Sequence, residues 1–270
     1  DEEGWHYTGA NIKNPELCKE YVALYILALD AINFCFWPSH GSTLEYHHLA
    51  MALTKLASNN HTPFLFTPTS LATMTVEQMK DALEPLLHPH TLPNLQERCR
   101  LWNELGAGLL ECHDGKALNL IDASHQNAPR LVHLLLCTFS GFRDATVWEG
   151  MYVTFYKRAQ ICVADLEAAL CLDLEGMEEL TTFADYRVPQ LLRHVGILTY
   201  NEELSEMVDS RMELNVKEEV SIRAATVVAV EQLVETYNSQ GGNEKMTAVQ
   251  MDWHLWQVGE RLNEQGEMKP

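Results

Sequence analysis

Eight stretches of this chain carry apolar residues at i, i+3 and i+4: Leu17 to Phe34, Leu44 to Ala57, Val76 to Leu87, Leu95 to Leu110, Ala128 to Phe139, Tyr152 to Ala169, Val188 to Val195 and Val220 to Tyr237. Helical periodicity turns each set onto one face, and a chain with so many one-sided helices must pack them against each other. Strand-like alternation is scarce, so the expected class is all-α. A local signal agrees at Val76, where Thr75 and Gln78 have the spacing of a capping box. Breakers separate the helical stretches at Pro63 and Pro68, Pro85 through Pro93, Gly115, Gly141 with Gly150, Gly176, and the run from Asn238 to Asn243. None is long enough for a flexible linker, and no internal repeat is present. The simplest account is one compact helical domain over residues 1–270, with two lobes around a central cleft.

Hydrophobic content of 46% with 21% charged residues suits a globular chain with a real core. The formal net charge of −19, from 38 acidic and 19 basic residues, argues against a long DNA or RNA partner. Such affinity rests on neutralising phosphates with Lys and Arg. A small anion held by a local cationic cluster remains open. The apolar stretch from Tyr21 to Pro38 reads as a buried helix rather than a membrane span, because Asp30 and Asn33 interrupt it and a proline closes it. No cationic leader with a small-residue cleavage site is read before it. The seven cysteines are odd in number and scattered, which gives no disulfide framework and points to a reducing compartment. The twelve histidines form no HExxH motif and no Cys/His quartet, so no metal is expected.

Chemistry concentrates in a few segments. Tyr156-Lys157-Arg158-Ala159-Gln160 opens a helix with two cations, which oppose the macrodipole unless an anionic ligand or a carboxylate compensates. The alternatives are a phosphate site and a solvated charged turn. Asp185 sits between Phe183 and Tyr186, where excluded water would raise its basicity; an aspartate before a short helix is also a common cap. Asn33, Phe34 and Trp37 lie where rings can sandwich a flat heterocycle, or simply pack in the core with Asn33 and Asp30 bonding nearby backbone. Arg143 and Asp144 are an adjacent cation and anion, which on an exposed loop contribute about 0–1 kcal/mol. Asp252, among the indoles of Met251-Asp252-Trp253-His254-Leu255-Trp256, either meets a ligand or caps a terminal helix, the cap being slightly favoured.

Taken in order, NFCFWP, GFRDATVWEG, FYKRAQICVAD, TTFADYRVPQLLRHVGIL, EEVSIRAATVVAVEQL and MDWHLW resemble the queuosine salvage protein family, from about Trp5 to Trp256. That resemblance implies a helical fold related to the helix-hairpin-helix DNA glycosylases. It also implies hydrolysis of the N-glycosidic bond of queuosine 5'-monophosphate, releasing queuine for tRNA modification without a redox cofactor. By motif position, Asp185 is the expected catalytic residue, Lys157 the phosphate holder and Asp252 a base contact, with Phe34 and Trp37 as the aromatic platform. Asn33, Tyr186, Arg158 and Asp144 complete the candidate substrate contacts. The chain departs from the family pattern between Glu45 and Thr69, before Trp5 and after Trp256.

The chemistry fits this reading. N-glycoside cleavage passes through an oxocarbenium-like sugar, which a carboxylate such as Asp185 can stabilise while orienting water. Queuine, a 7-deazaguanine, has no N7 to protonate, so a second polar group such as Asp252 is useful. The expected partners are small molecules only, with no long nucleic acid and no membrane, for a monomer in the cytoplasm. Two other classes remain: a nucleic-acid base glycosylase built on the Val188–Leu198 hairpin outline, and a non-catalytic helical binding module.

Overall fold

Asn14 closes the start of helix α1 (Pro15–Ala31), its side-chain oxygen accepting from the amides of Glu16 and Leu17. Pro15 suits the first turn because the amide it lacks would go unpaired there. From Val22 to Ala31 every residue is buried, as a helix apolar on all sides should be. The structure is a computed structural model that describes residues 8–9, 12–36, 44–58, 66–241 and 245–268. Twelve α-helices and one two-stranded sheet occur among them, so the all-α class holds. The chain divides into two compact units, residues 1–142 with 161–175, and residues 143–160 with 176–270.

The first unit contains α1, α2 (Tyr46–Ser58), α3 (Pro68–Ala72), α4 (Val76–Leu87), α5 (Leu95–Cys112), α6 (Ala117–Asp122), α7 (Ala128–Thr138) and, from Ile161 on, helix α8 (Lys157–Leu170). Helices α2, α5 and α6 pack on α1, and buried Trp102 of α5 donates its indole N–H to the Ala28 carbonyl at 2.8 Å. Close approach of α3 requires Gly106, where a Cβ would lie 2.3 Å from the Pro68 oxygen. The capping box of Thr75 and Gln78 forms as its spacing predicts.

Helix α1 stops at Ala31, short of the expected Phe34. Arg98, fully buried on α5, explains the early end: its guanidinium donates to the carbonyls of Ile32, Phe34 and Cys35. With those acceptors engaged, the chain leaves the helix. Among the described residues no helix is long and apolar enough to cross a membrane.

The second unit begins with strands β1 (Ala145–Trp148) and β2 (Met151–Thr154), paired antiparallel with Ala145 opposite Thr154 and Trp148 opposite Met151. It continues through the first turn of α8, then α9 (Arg187–His194), α10 (Glu202–Asp209), α11 (Val216–Ser239) and α12 (Ala248–Glu264). The hairpin corrects the helix expected from Tyr152. Glu149 and Gly150 both take left-handed φ, +49° and +79°, the turn that suits a two-residue hairpin loop. Thr146, Val147, Tyr152 and Val153 are branched or aromatic and favour strands. Val188 and Leu192 of α9, Leu198, Ala229 and Val230 of α11, and Met251 of α12 form this unit's core.

Candidate active site

Asp144 organises the start of α8 with both its backbone and its side chain. Its carbonyl accepts from the amides of Phe155 and Tyr156 at 3.0 and 3.2 Å. Its Oδ2 accepts from the Lys157 amide at 3.0 Å. The carboxylate that offsets two cations in a first helical turn is therefore Asp144. The cation paired with it is Arg223 of α11, not its neighbour Arg143, through a two-pronged contact of Nη1 to Oδ1 at 2.9 Å and Nη2 to Oδ2 at 2.5 Å. Burial pushes the Asp144 carboxyl up, but the bonds and charge of Arg223, with the amide and charge of Lys157, leave it below the ordinary carboxylate range.

Gln160, one turn into α8 and buried, ties this segment to the one containing Asp185. Its Oε1 accepts from the Thr181 amide at 2.8 Å, while its Nε2 donates to the Phe155 carbonyl at 2.9 Å and to Thr181 Oγ1 at 3.0 Å. Four residues on, Asp185 uses Oδ1 to accept from the amides of Arg187 and Val188 at 2.8 and 3.1 Å. It is thus a helix cap through one oxygen, and both of its expected readings can hold at once. Helix α9 is anchored by buried Arg187, whose Nε donates to Glu260 at 2.5 Å. Gly259 makes room for that side chain, since a Cβ there would lie 2.9 Å from Arg187 Cγ.

Asp252 does not cap α12; Thr247 does, with Gln250 completing a capping box. Lying inside the helix, Asp252 instead turns to the segment before Asp185. Its Oδ1 accepts from the Thr182 hydroxyl and from the Phe183 amide. Only 2% exposed, its carboxyl is pushed up to about 7, first by burial and then by the charge of Asp185; the Thr182 and Phe183 bonds and the charge of Lys157 pull the other way. The bonds to Thr182 and Phe183 set Asp252 beside the segment that leads into Asp185. With Oδ1 already accepting twice, a proton on this acid belongs on Oδ2.

Of the other expected contacts, Arg158 and Tyr186 lie in the same unit and are half-buried. The Arg187 guanidinium sits 5.1 Å over the Tyr186 ring. Asn33 and Phe34 belong to the first unit. There Asn33 donates to Asp30 Oδ1 at 3.2 Å, and Arg98 lies 4.5 Å over the Phe34 ring. Trp37 is outside the described residues. Sequence reasoning missed Arg223 and Thr182. The signal at Arg223 pointed elsewhere, since Glu219 one turn earlier marks it as half of an ordinary helical pair, which it also forms at 3.3 Å.

Residues 13–270 match the model of the family described as queuosine salvage protein. The chain belongs to the queuosine salvage protein family. Three relatives, each named queuosine 5'-phosphate N-glycosylase/hydrolase, align along most of its length. That of Dictyostelium discoideum is 38% identical over 268 residues, covering 96% of this chain and 80% of the relative. That of Sphaerobacter thermophilus is 38% identical over 259 residues, covering 90% and 78%. That of Mus musculus is 33% identical over 270 residues, again covering 90% and 78%. For this queuosine salvage family member, the second unit holds a cation, a capped carboxylate and a buried acid poised near neutrality, the kinds of group that a phosphate, a developing sugar cation and a leaving base would meet.

Proposed function

We propose that this protein hydrolyses the N-glycosidic bond of queuosine 5'-monophosphate to queuine and ribose 5-phosphate. The reading is supported by hydrogen bonds within the second unit: Asp252 bonds Thr182 and Phe183, just before Asp185, and Gln160, in the first turn of the helix that Lys157 opens, bonds Thr181; the names of its relatives support it too. Lys157 holds the 5'-phosphate. Asp185, its Oδ1 fixed by two α9 amides, presents its other oxygen to the anomeric carbon. As the C–N bond breaks, its electron pair goes to the base and positive charge builds on the sugar, where a carboxylate stabilises it. Asp185 accepts a proton from the attacking water, and Asp252 gives one to the departing base. Proton exchange with solvent then restores both groups.

Arg158 and Tyr186, in the same unit as Lys157 and Asp185, flank the substrate in this reading. The cationic arm of queuine suits an acidic chain, and the −19 balance favours a free nucleotide over a long nucleic acid. The protein acts as a monomer in the cytoplasm. A kinship with helix-hairpin-helix glycosylases rests on α9, the left-handed Gly196 that ends it, and α10.

The test is mass-spectrometric detection of free queuine from the purified protein and its Asp185→Asn variant. Asparagine keeps an oxygen to cap α9, so the variant folds; release falls at least 100-fold, the scale typical of a lost acid–base group. Undiminished release would sink the assignment of Asp185.

A further inference from the structure

Lys157 and Asp185 are each preceded by a residue in an uncommon backbone conformation, Tyr156 at φ +51° and Ala184 at φ +48°. Residues other than glycine seldom adopt it, and they keep it only where surrounding structure fixes the chain. One side chain reaches both places. Arg223 donates from Nε to the Ala184 carbonyl at 3.2 Å. Its two terminal nitrogens grip the Asp144 carboxylate, which holds the Lys157 amide. Its guanidinium lies 4.1 Å over the ring of Phe155, just before Tyr156. All three guanidinium nitrogens donate to protein acceptors. That marks a structural grip rather than a ligand for the substrate phosphate.

We propose that Arg223 is a positioning residue for glycoside cleavage, setting the separation of Lys157 and Asp185 through Asp144 and the Ala184 carbonyl. The inference rests on the function proposed above. A planar fork with fixed donor directions suits this task, because it joins two backbone segments at defined angles. Lysine keeps the charge and loses the fork. Misplacing reacting groups by about 1 Å can lower a rate about 100-fold, so a slackened frame acts mainly on turnover, and phosphate binding suffers with it.

The experiment compares wild-type protein with Arg223→Lys in three measurements: kcat for queuine release, the inhibition constant of ribose 5-phosphate, and Tm. The inhibition constant is the discriminating readout, since partial unfolding lowers the active fraction and kcat but leaves the affinity of the surviving sites unchanged. The expected result is kcat down about 100-fold and the inhibition constant up about tenfold, the loss of one charge-assisted contact. Wild-type values of both overturn the proposal, and so does a lower kcat with an unchanged inhibition constant, which marks a purely structural arginine. If Arg223→Lys does not fold, Asp144→Asn breaks the same grip from the other side and must show the same paired loss; an unchanged inhibition constant there overturns the proposal equally. Absence of queuine release by the wild type is a different outcome, and it defeats the proposed function itself.

Discussion

Replacing Asp252 by asparagine keeps the shape of the side chain and removes its charge, so the variant isolates what ionisation does to the fold. In the folded protein this carboxyl is held up to about 7; in the unfolded chain it returns to about 3.9. Below about pH 4 the acid is protonated in both states and its ionisation contributes nothing. Between about 4 and 7 the unfolded chain loses the proton while the folded one retains it, so stability falls as pH rises and levels off above the folded value. A shift of roughly three units corresponds to about 4 kcal/mol. At about 2–4 °C per kcal/mol for a chain of this size, the ceiling is about 8–16 °C in Tm. The Asp252→Asn protein should therefore match wild type near pH 4 and exceed it by several degrees at pH 8, in thermal unfolding followed by circular dichroism. It should also release queuine more slowly at both values, because an amide donates a hydrogen bond but no proton. A Tm difference that stays constant from pH 4 to pH 8 refutes the idea of a charge held against its preference.

Two further outcomes follow from the same geometry. Thr182→Val removes one of the hydrogen bonds that pull the Asp252 carboxyl down, so the alkaline limb of the kcat/KM profile should move to higher pH; an unmoved limb separates Asp252 from the titration that governs activity. Glu260→Ala removes the carboxylate that buried Arg187 bonds through Nε and leaves its contact with Gln190; urea unfolding should show a loss of about 3–5 kcal/mol, with a loss under 1 kcal/mol speaking against the ion pair as the anchor of α9.

What could be read in advance was local. Helix α4 and its capping box involve residues a few positions apart, and the expected bounds, Val76 and Leu87, are those observed. The capping by Asp185 was also legible, because the amides it bonds follow it directly. Helices α3, α6 and α10, at 5, 6 and 8 residues, are too short to show a 3.6-residue period against noise. The start of α8 was misplaced because Tyr152 and Val153 satisfy a helical and a strand pattern alike, and only the register with β1 decides between them. Asp144 and Arg223 are 79 positions apart, and nothing local announces such a pair. Asp252 looked like a cap on base rates; its burial and its grip on the Thr182–Phe183 segment arise only when α12 is in place.

The β1–β2 hairpin is fastened where it leaves the site, by the Phe155 amide on the Asp144 carbonyl. Its outer residues Val147, Met151 and Tyr152 are exposed, and nothing lies within 4 Å of where a Gly150 side chain would begin. Side chains at these outward positions can therefore be exchanged while the backbone fastening that spaces Asp144 and Lys157 stays as it is. A spectroscopic probe attached at Val147 or Tyr152 would report on the hairpin from the solvent side, a few residues from the chemistry.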